Sequence, residues 1–192
     1  RIVAVTGTNG KTTLVKFLEL LLKDANRQVC IGGNVGNSFA EVVAKNPEPN
    51  CTAILELSSF QSECLQILRP DAVIWTNFDE DHLDRHHDLS SYFKAKARLV
   101  ERLRGDCFLS GVSVLEYSDA KNLKLARKPR VVLREEIEQL MIPGSSVFST
   151  FPQRENLALA MAFAEEAEVP MDVFLGAMKK FRGEPHRLER VA

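Results

Sequence analysis

Ile2-Val3-Ala4-Val5 is apolar at every position, too short for a helix, and followed at once by Thr6-Gly7-Thr8-Asn9-Gly10-Lys11-Thr12-Thr13. Leu14, Phe17, Leu18, Leu21 and Leu22 then recur at helical spacing. An unbroken β-branched run reads as a strand buried on both faces, and the 3.6-residue stripe behind it reads as a helix packed on that strand. The same unit recurs. Residues 28–31 predict a second strand, Gly32-Gly33-Asn34-Val35-Gly36 a second glycine loop, and residues 38–44 a helix closed by Asn46-Pro47. Residues 51–57 and 72–76 predict a third and a fourth strand. Residues 90–103 predict a helix that packs through Tyr92, Phe93, Ala95, Ala97, Leu99 and Val100, with Lys94, Lys96 and Arg98 on its other sides. Strands alternating with helices predict an α/β fold with a mainly parallel, doubly wound sheet, because a parallel crossover needs a helix-length connection. Ligands should collect at the carboxyl ends of its strands.

The segment 107–147 carries a weaker pattern. Residues 107–109, 113–117 and 130–133 can be strands, and the sheet can turn mixed there. The basic run over 121–130 is followed directly by Arg134-Glu135-Glu136-Ile137-Glu138, which predicts a solvated surface. Residues 154–168 and 171–181 predict two further helices. A length of 192 residues with 45% hydrophobic content is that of one domain with a sizeable core. Both ends read as cut, which predicts a middle domain excised from a longer chain. A net charge of −1 gives no electrostatic reason to expect nucleic acid or an anionic membrane as partner. No stretch approaches the ~18–20 apolar residues of a spanning helix, and the first residues lack a signal peptide's order. A cytosolic protein is expected. Cys30, Cys51, Cys64 and Cys107 form no C-x-x-C pair and sit in or beside apolar runs, which predicts buried thiols.

The loop 6–13 has the composition of a phosphate cradle. Glycines let the backbone turn its N–H groups toward an anion, and the helix N-terminus adds a favourable dipole. Lys11 can then reach the β- and γ-phosphates of a nucleotide, and the Thr12 hydroxyl suits Mg²⁺. The general pattern G-x-x-x-x-G-K-[ST] is not fully met, since Val5 stands six places before Lys11. Glu56 ends an apolar strand, where a lone carboxylate is costly to bury. A divalent cation would remove that cost; contact with water or a lysine would do so too. The fourth strand leads into Thr76-Asn77-Phe78-Asp79-Glu80-Asp81-His82-Leu83-Asp84-Arg85-His86, in which His82 can ligate a metal or accept a proton.

These residues resemble the ATP-dependent Mur ligases of bacterial peptidoglycan synthesis. The loop 6–12 is similar to that family's modified P-loop, missing first glycine included. Glu56-Leu57-Ser58-Ser59-Phe60-Gln61, Gly33-Asn34-Val35-Gly36, Asp81-His82-Leu83-Asp84-Arg85-His86, Tyr92-Phe93-Lys94-Ala95-Lys96, Asn156 and Pro185-His186-Arg187 are similar to the members that add D-glutamate to UDP-N-acetylmuramoyl-L-alanine. The resemblance runs over almost the whole chain and departs at Leu109-Ser110-Gly111-Val112, where no functional residue is carried across.

The resemblance implies a central ATP-binding domain spanning residues 1–192, with an N-terminal UDP-binding domain and a C-terminal domain outside this chain. It implies that ATP phosphorylates a carboxylate and that the amine of D-glutamate attacks the acyl phosphate. Gly7, Thr8, Asn9, Gly10, Lys11, Thr12 and Thr13 would hold the phosphates, and Thr12 one Mg²⁺. Glu56 and His82 would hold a second Mg²⁺, and Asn34 would orient carboxylate and phosphate. Asn156 would lie toward the adenine and Arg187 toward the ribose and phosphates. Lys96 would be carbamylated by CO₂, turning a cation that two metals would repel into an oxygen ligand. Another Mur-type ligase, a folylpolyglutamate-synthase-like ligase and a non-catalytic nucleotide-binding module remain as alternatives.

Overall fold

A strand buried on both faces needs helices above and below it. The computed structural model, which describes residues 1–45, 50–81, 86–139, 141–144 and 146–183, has them on both sides. The strands β1 (Ile2–Thr6), β2 (Val29–Gly33), β3 (Thr52–Glu56), β4 (Ala72–Trp75), β5 (Cys107–Gly111) and β6 (Arg130–Val132) lie in the order β2-β3-β1-β4-β5-β6. Every described pairing is parallel. The helices are α1 (Lys11–Asp24), α2 (Phe39–Lys45), α3 (Ser59–Glu63), α4 (Leu89–Glu101), α5 (Val112–Ala120), α6 (Arg134–Gln139), α7 (Gln153–Glu166) and α8 (Met171–Lys180).

Successive side chains of a strand point to opposite faces, and here each face has its own core. Val3, Val5, Ile54, Ile74 and Leu109 pack with Leu14, Phe17, Leu18 and Leu21 of α1, Leu159 of α7 and Phe174 of α8. Ala4, Leu55, Val73, Trp75 and Phe108 pack on the other side with Tyr92, Phe93, Leu99 and Val100 of α4 and Val114 of α5. β1 lies between β3 and β4; the chain leaves it toward β2 on one side, reverses there, and passes through β3 to β4 on the other side of β1. Such a reversal opens a crevice at the carboxyl ends of the strands. The polar loops after β1, β3 and β4 meet there.

Three expectations are corrected. Residues 113–117 are helical, within α5, and the described sheet is not mixed: Val114 and Ser118, four apart, are the residues that α5 buries, and a five-residue segment is too short for its period to separate strand from helix. Lys96 lies under the sheet's carboxyl rim, 1% exposed, and not on an outer side of α4. The thiols are not uniformly buried, since Cys64 is exposed, Cys30 and Cys51 are half-buried, and only Cys107 is buried. The short helix α3 was not expected; Ser58 starts it, accepting from the N–H of Gln61 while the Gln61 side chain accepts from the N–H of Ser58. No described helix is long and apolar enough to cross a membrane.

Phe17 ties α1 to the carboxyl-terminal third of the chain. Its ring is fully buried, with the rings of Phe148, Phe174 and Phe181 at 4.9, 5.7 and 5.4 Å. Truncating a buried phenylalanine costs its transfer energy plus that of the cavity left behind. Phe17→Ala is expected to lower unfolding stability by about 3–5 kcal/mol, read from urea denaturation midpoints at constant m-value.

Candidate functional site

The loop after β1 is shaped by glycine and braced from the end of β4. Gly7 has φ +147° and Gly10 φ +78°, and a side chain on either would collide, with Thr76 Oγ1 and with Asn156 Nδ2 respectively. The Asn77 carbonyl accepts from the N–H of Thr8 at 3.1 Å and its Oδ1 from the N–H of Asn9 at 2.8 Å. Thr76 Oγ1 and Asn77 Nδ2 both donate to the Asn9 carbonyl, at 2.8 and 3.1 Å. Gly10 sits at the N-cap of α1 with no side-chain cap, so the first N–H groups of that helix point toward the loop without a capping acceptor. Lys11 curls back, its Nζ donating to the carbonyls of Gly7 at 3.1 Å and Thr8 at 2.8 Å. Thr13 is buried in the first turn of α1.

Glu56 ends β3 and is 2% exposed. Its Oε2 accepts from Thr12 Oγ1 at 2.9 Å and its Oε1 from Asn34 Nδ2 at 3.1 Å. Asn34 is placed by the turn after β2. Gly33, at φ +99°, lies so close to β3 that a Cβ would strike the Glu56 carbonyl, and that carbonyl accepts from the N–H of Asn34 at 2.8 Å. A carboxylate has about four lone-pair sites, and these two contacts leave others for further partners. With the Thr12 hydroxyl beside it, the donor set is one of hard oxygens that suits Mg²⁺. Among the described residues no group of three or more His, Cys, Asp or Glu side chains completes a metal-sized cluster. His82 and Arg187 lie outside the described residues.

Lys96 reaches the same loop from below. Its Nζ donates to the Gly7 carbonyl at 2.8 Å and lies 4.6 Å from the centre of the Tyr92 ring. Burial pushes its ammonium down to about 7, the neighbouring Lys11 charge pushes the same way, and Asp81 opposes them. The Gly7 oxygen therefore accepts from two lysines at once, whose nitrogens are within about 6 Å of each other; like charges that close repel by about 3 kcal/mol at an effective dielectric of 20. Tyr92, pushed up to about 12 by burial, places its hydroxyl 3.4 Å from Thr8 Oγ1.

Several supporting residues escaped the sequence reading. Thr76 and Asn77 brace the loop. His86, 3% exposed, places Nε2 2.9 Å from Ser59 Oγ and Nδ1 3.5 Å from Glu63 Oε1, and stacks on Phe60. It ties the chain that follows residues 82–85 to α3. Nothing in a one-dimensional pattern marks such bracing; the polar density over 76–86 was the only signal. On the other flank Asn156 is fully buried, its Nδ2 donating to the Gly10 carbonyl at 3.0 Å and to Gln153 Oε1 at 2.9 Å. Its Oδ1 has no hydrogen-bond partner among the described residues. A cavity of about 320 Å³ is lined by apolar Val112, Ile137 and Phe151 together with Ser113, by the carboxylates of Glu116, Glu138 and Glu155, and by Arg154.

Comparison with known proteins gives the same outline. Residues 5–139 match the family model described as the Mur ligase middle domain. A UDP-N-acetylmuramoylalanine–D-glutamate ligase of Aquifex aeolicus is 35% identical, with 98% of this chain and 47% of that protein covered. The ligase of the same name from Lachnoclostridium phytofermentans is 30% identical, with 100% and 46% covered. The solved structure of a UDP-N-acetylmuramoyl-L-alanyl-D-glutamate–2,6-diaminopimelate ligase superposes with a TM-score of 0.76 at 22% identity, over 98% of this chain and 48% of that one. The chain thus spans about half the length of the relatives it matches.

The buried lysine makes a pH-dependent signature. With Lys96 near 7 in the folded chain and 10.5 as its ordinary value, the unfolded chain holds a proton between those pH values that the folded chain has released. Stability from this group therefore rises with pH across that window. Lys96→Met is expected to flatten that rise, measured by urea titrations from pH 6.5 to 9.5 against the parent protein.

Proposed function

The chain belongs to the Mur ligase family through its middle domain, and from that premise we propose that it is the central ATP-binding domain of the ligase that joins D-glutamate to UDP-N-acetylmuramoyl-L-alanine. The domains for the UDP-sugar and for closing over the amino acid lie, in this reading, outside residues 1–192, and the enzyme acts in the cytoplasm. The observation that carries the proposal is the hydrogen-bonded chain Thr12–Glu56–Asn34, which joins the phosphate loop, the end of β3 and the loop after β2 around one buried carboxylate. The names of the relatives supply the substrates.

The chemistry asks for what these groups can do. A carboxylate is a poor electrophile; when its oxygen attacks the γ-phosphorus and ADP leaves, the acyl carbon gains a phosphate leaving group that the amine then displaces. The glycines of the loop and the uncapped first turn of α1 would present backbone N–H groups to the phosphates, the N–H groups of Thr8 and Asn9 being held by Asn77, and Lys11 would turn from the Gly7 and Thr8 carbonyls toward their charge. Thr12 and Glu56 would hold Mg²⁺, with His82 completing the second site, and the metal when bound disperses charge between the anionic reactants. Asn34 orients the acceptor carboxylate. Asn156, whose buried Oδ1 has no partner among the described residues, suits a base carrying an exocyclic amine, and Arg187 would serve the ribose side.

Lys96 is assigned as the lysine that CO₂ carbamylates. In support, an amine held near neutrality by burial is largely unprotonated at pH 8, and only the free amine attacks CO₂. A carbamate would put an anion beside Lys11 in place of that amine.

The full-length protein is expected to release phosphate from ATP only with UDP-N-acetylmuramoyl-L-alanine and D-glutamate together; release with a folate-type acceptor, or none at all, would overturn the assignment. Glu56→Gln is expected to lower kcat by about 100-fold or more in the same assay. Bicarbonate should raise the turnover of the parent enzyme and leave Lys96→Ala, already strongly depressed, unchanged. Residues 1–192 alone should bind Mg-ATP weakly by calorimetry and ligate nothing, because closing domains exclude water and complete such sites.

A further inference from the structure

Away from the phosphate loop, two of the four cysteines face each other. Cys30 lies on β2 and pairs in register with Ala53 of β3. Cys51 stands two residues before Ala53, and residues two apart on a strand share a face. The two side chains thus form a diagonal pair on one face of neighbouring parallel strands, with their sulfurs 3.2 Å apart and their positions 21 apart in sequence. Both are half-buried. The backbone can give at each position, since β2 is the edge strand of the sheet and Cys51 precedes the first residue of β3. A disulfide needs its sulfurs at about 2.05 Å, so closing the gap takes a movement of about 1 Å.

We propose that Cys30 and Cys51 are a thiol modification site, which a low-molecular-weight disulfide such as oxidised glutathione converts into an internal disulfide. Cys51, in the less confined position, is the attacking thiolate: its sulfur bonds to one sulfur of glutathione disulfide, breaking that S–S bond and releasing one glutathione thiolate. Cys30 then loses its proton to solvent and attacks the Cys51 sulfur, releasing the second glutathione. Two protein thiols are oxidised and one external disulfide is reduced to two thiols, so atoms and electrons balance. The order of attack agrees with the thiol chemistry. Cys30 is held up at about 12, first by burial and next by the Cys51 sulfur, and capping Cys51 as a mixed disulfide removes that second, anionic contribution. The bridge would close a ring holding β2, the Gly33–Asn34 turn and α2, and would cross-link β2 to β3 by a covalent bond beside their hydrogen bonds. The proposal does not depend on the ligase reading.

The test is made on the full-length protein, equilibrated in glutathione buffers of rising oxidised fraction, quenched with acid, alkylated and mapped by mass spectrometry without reduction. A peptide pair joined through Cys30 and Cys51, two hydrogens lighter than the separate peptides, is expected, while exposed Cys64 stops at a mixed disulfide with glutathione. Hydrogen exchange over residues 31–45 should slow in the bridged form. In Cys30→Ser the glutathione adduct on Cys51 should persist, where the parent protein resolves it. Phenylarsine oxide gives a measure independent of oxidation: it should bind across the pair in the parent protein and be lost from that pair in either serine variant. Separate glutathione adducts on both cysteines, or both thiols unmodified while Cys64 is capped, would overturn the proposal.

Discussion

β1 is paired on both edges and buried on both faces, and the placing of the site depends on this. A strand so enclosed can carry no charged side chain along its length without a large desolvation cost, so chemistry has to wait until the chain leaves the sheet. Polar character starts at Thr6, whose hydroxyl donates to the Leu57 carbonyl at 2.9 Å. In register, Val5 stands beside Glu56 and Thr6 beside Trp75, so the three strands turn polar within a residue or two of one another. The loop 6–13, the carboxylate of Glu56 and the polar run from Thr76 meet because parallel pairing aligns the carboxyl ends of three strands, although up to about seventy residues separate them in sequence.

A rim of this kind has to hold flexible loops in place. Glycine at positions 7, 10 and 33 removes clashes with Thr76, Asn156 and Glu56, but glycine also leaves the unfolded loop with much entropy to lose. The hydrogen bonds from Thr76 and Asn77 to Asn9 and from Asn156 to Gly10 offset part of that loss. Each contributes about 1 kcal/mol net, and together they set the loop from two sides before any ligand arrives. Such preorganisation matters for an anion site, since backbone dipoles already aimed at the charge need not reorient when it binds.

The difference between what the sequence shows and what it hides follows from range. β1 and α1 are legible because a buried run and a 3.6-residue stripe are local statements about exposure, and Lys11, Thr12 and Glu56 are legible because they stand where such patterns stop. Residues 113–117 mislead because a five-residue segment cannot display its period, and it is the packing of Val114 against the sheet that selects the helix. Lys96 misleads more deeply. Between Lys94 and Arg98 it looks like part of a solvated face, yet its partner is a carbonyl 89 residues away. Asn77 and His86 are of the same kind, since a brace is defined by what it touches.

Lys96 also shows which effect prevails at the rim. One hydrogen bond from a charged amine contributes about 1.5–3 kcal/mol, and a cation over an aromatic ring about 0.5–2 kcal/mol; both favour the ammonium. Against them stand full burial and the repulsion from Lys11 on the shared carbonyl. Burial and the Lys11 charge outweigh them and push Lys96 down to about 7. An anion seated in the loop would reverse that order, because its charge attracts both lysines more strongly than either attracts the dipole of Gly7. Lys11 and Lys96 both donate to the Gly7 carbonyl, while the nearby carboxylate, Glu56, is engaged by Thr12 and Asn34. On the proposed reading, separating the two groups in this way would keep the lysines for phosphate and the carboxylate for a cation, a division that a direct Lys11–Glu56 ion pair would cancel.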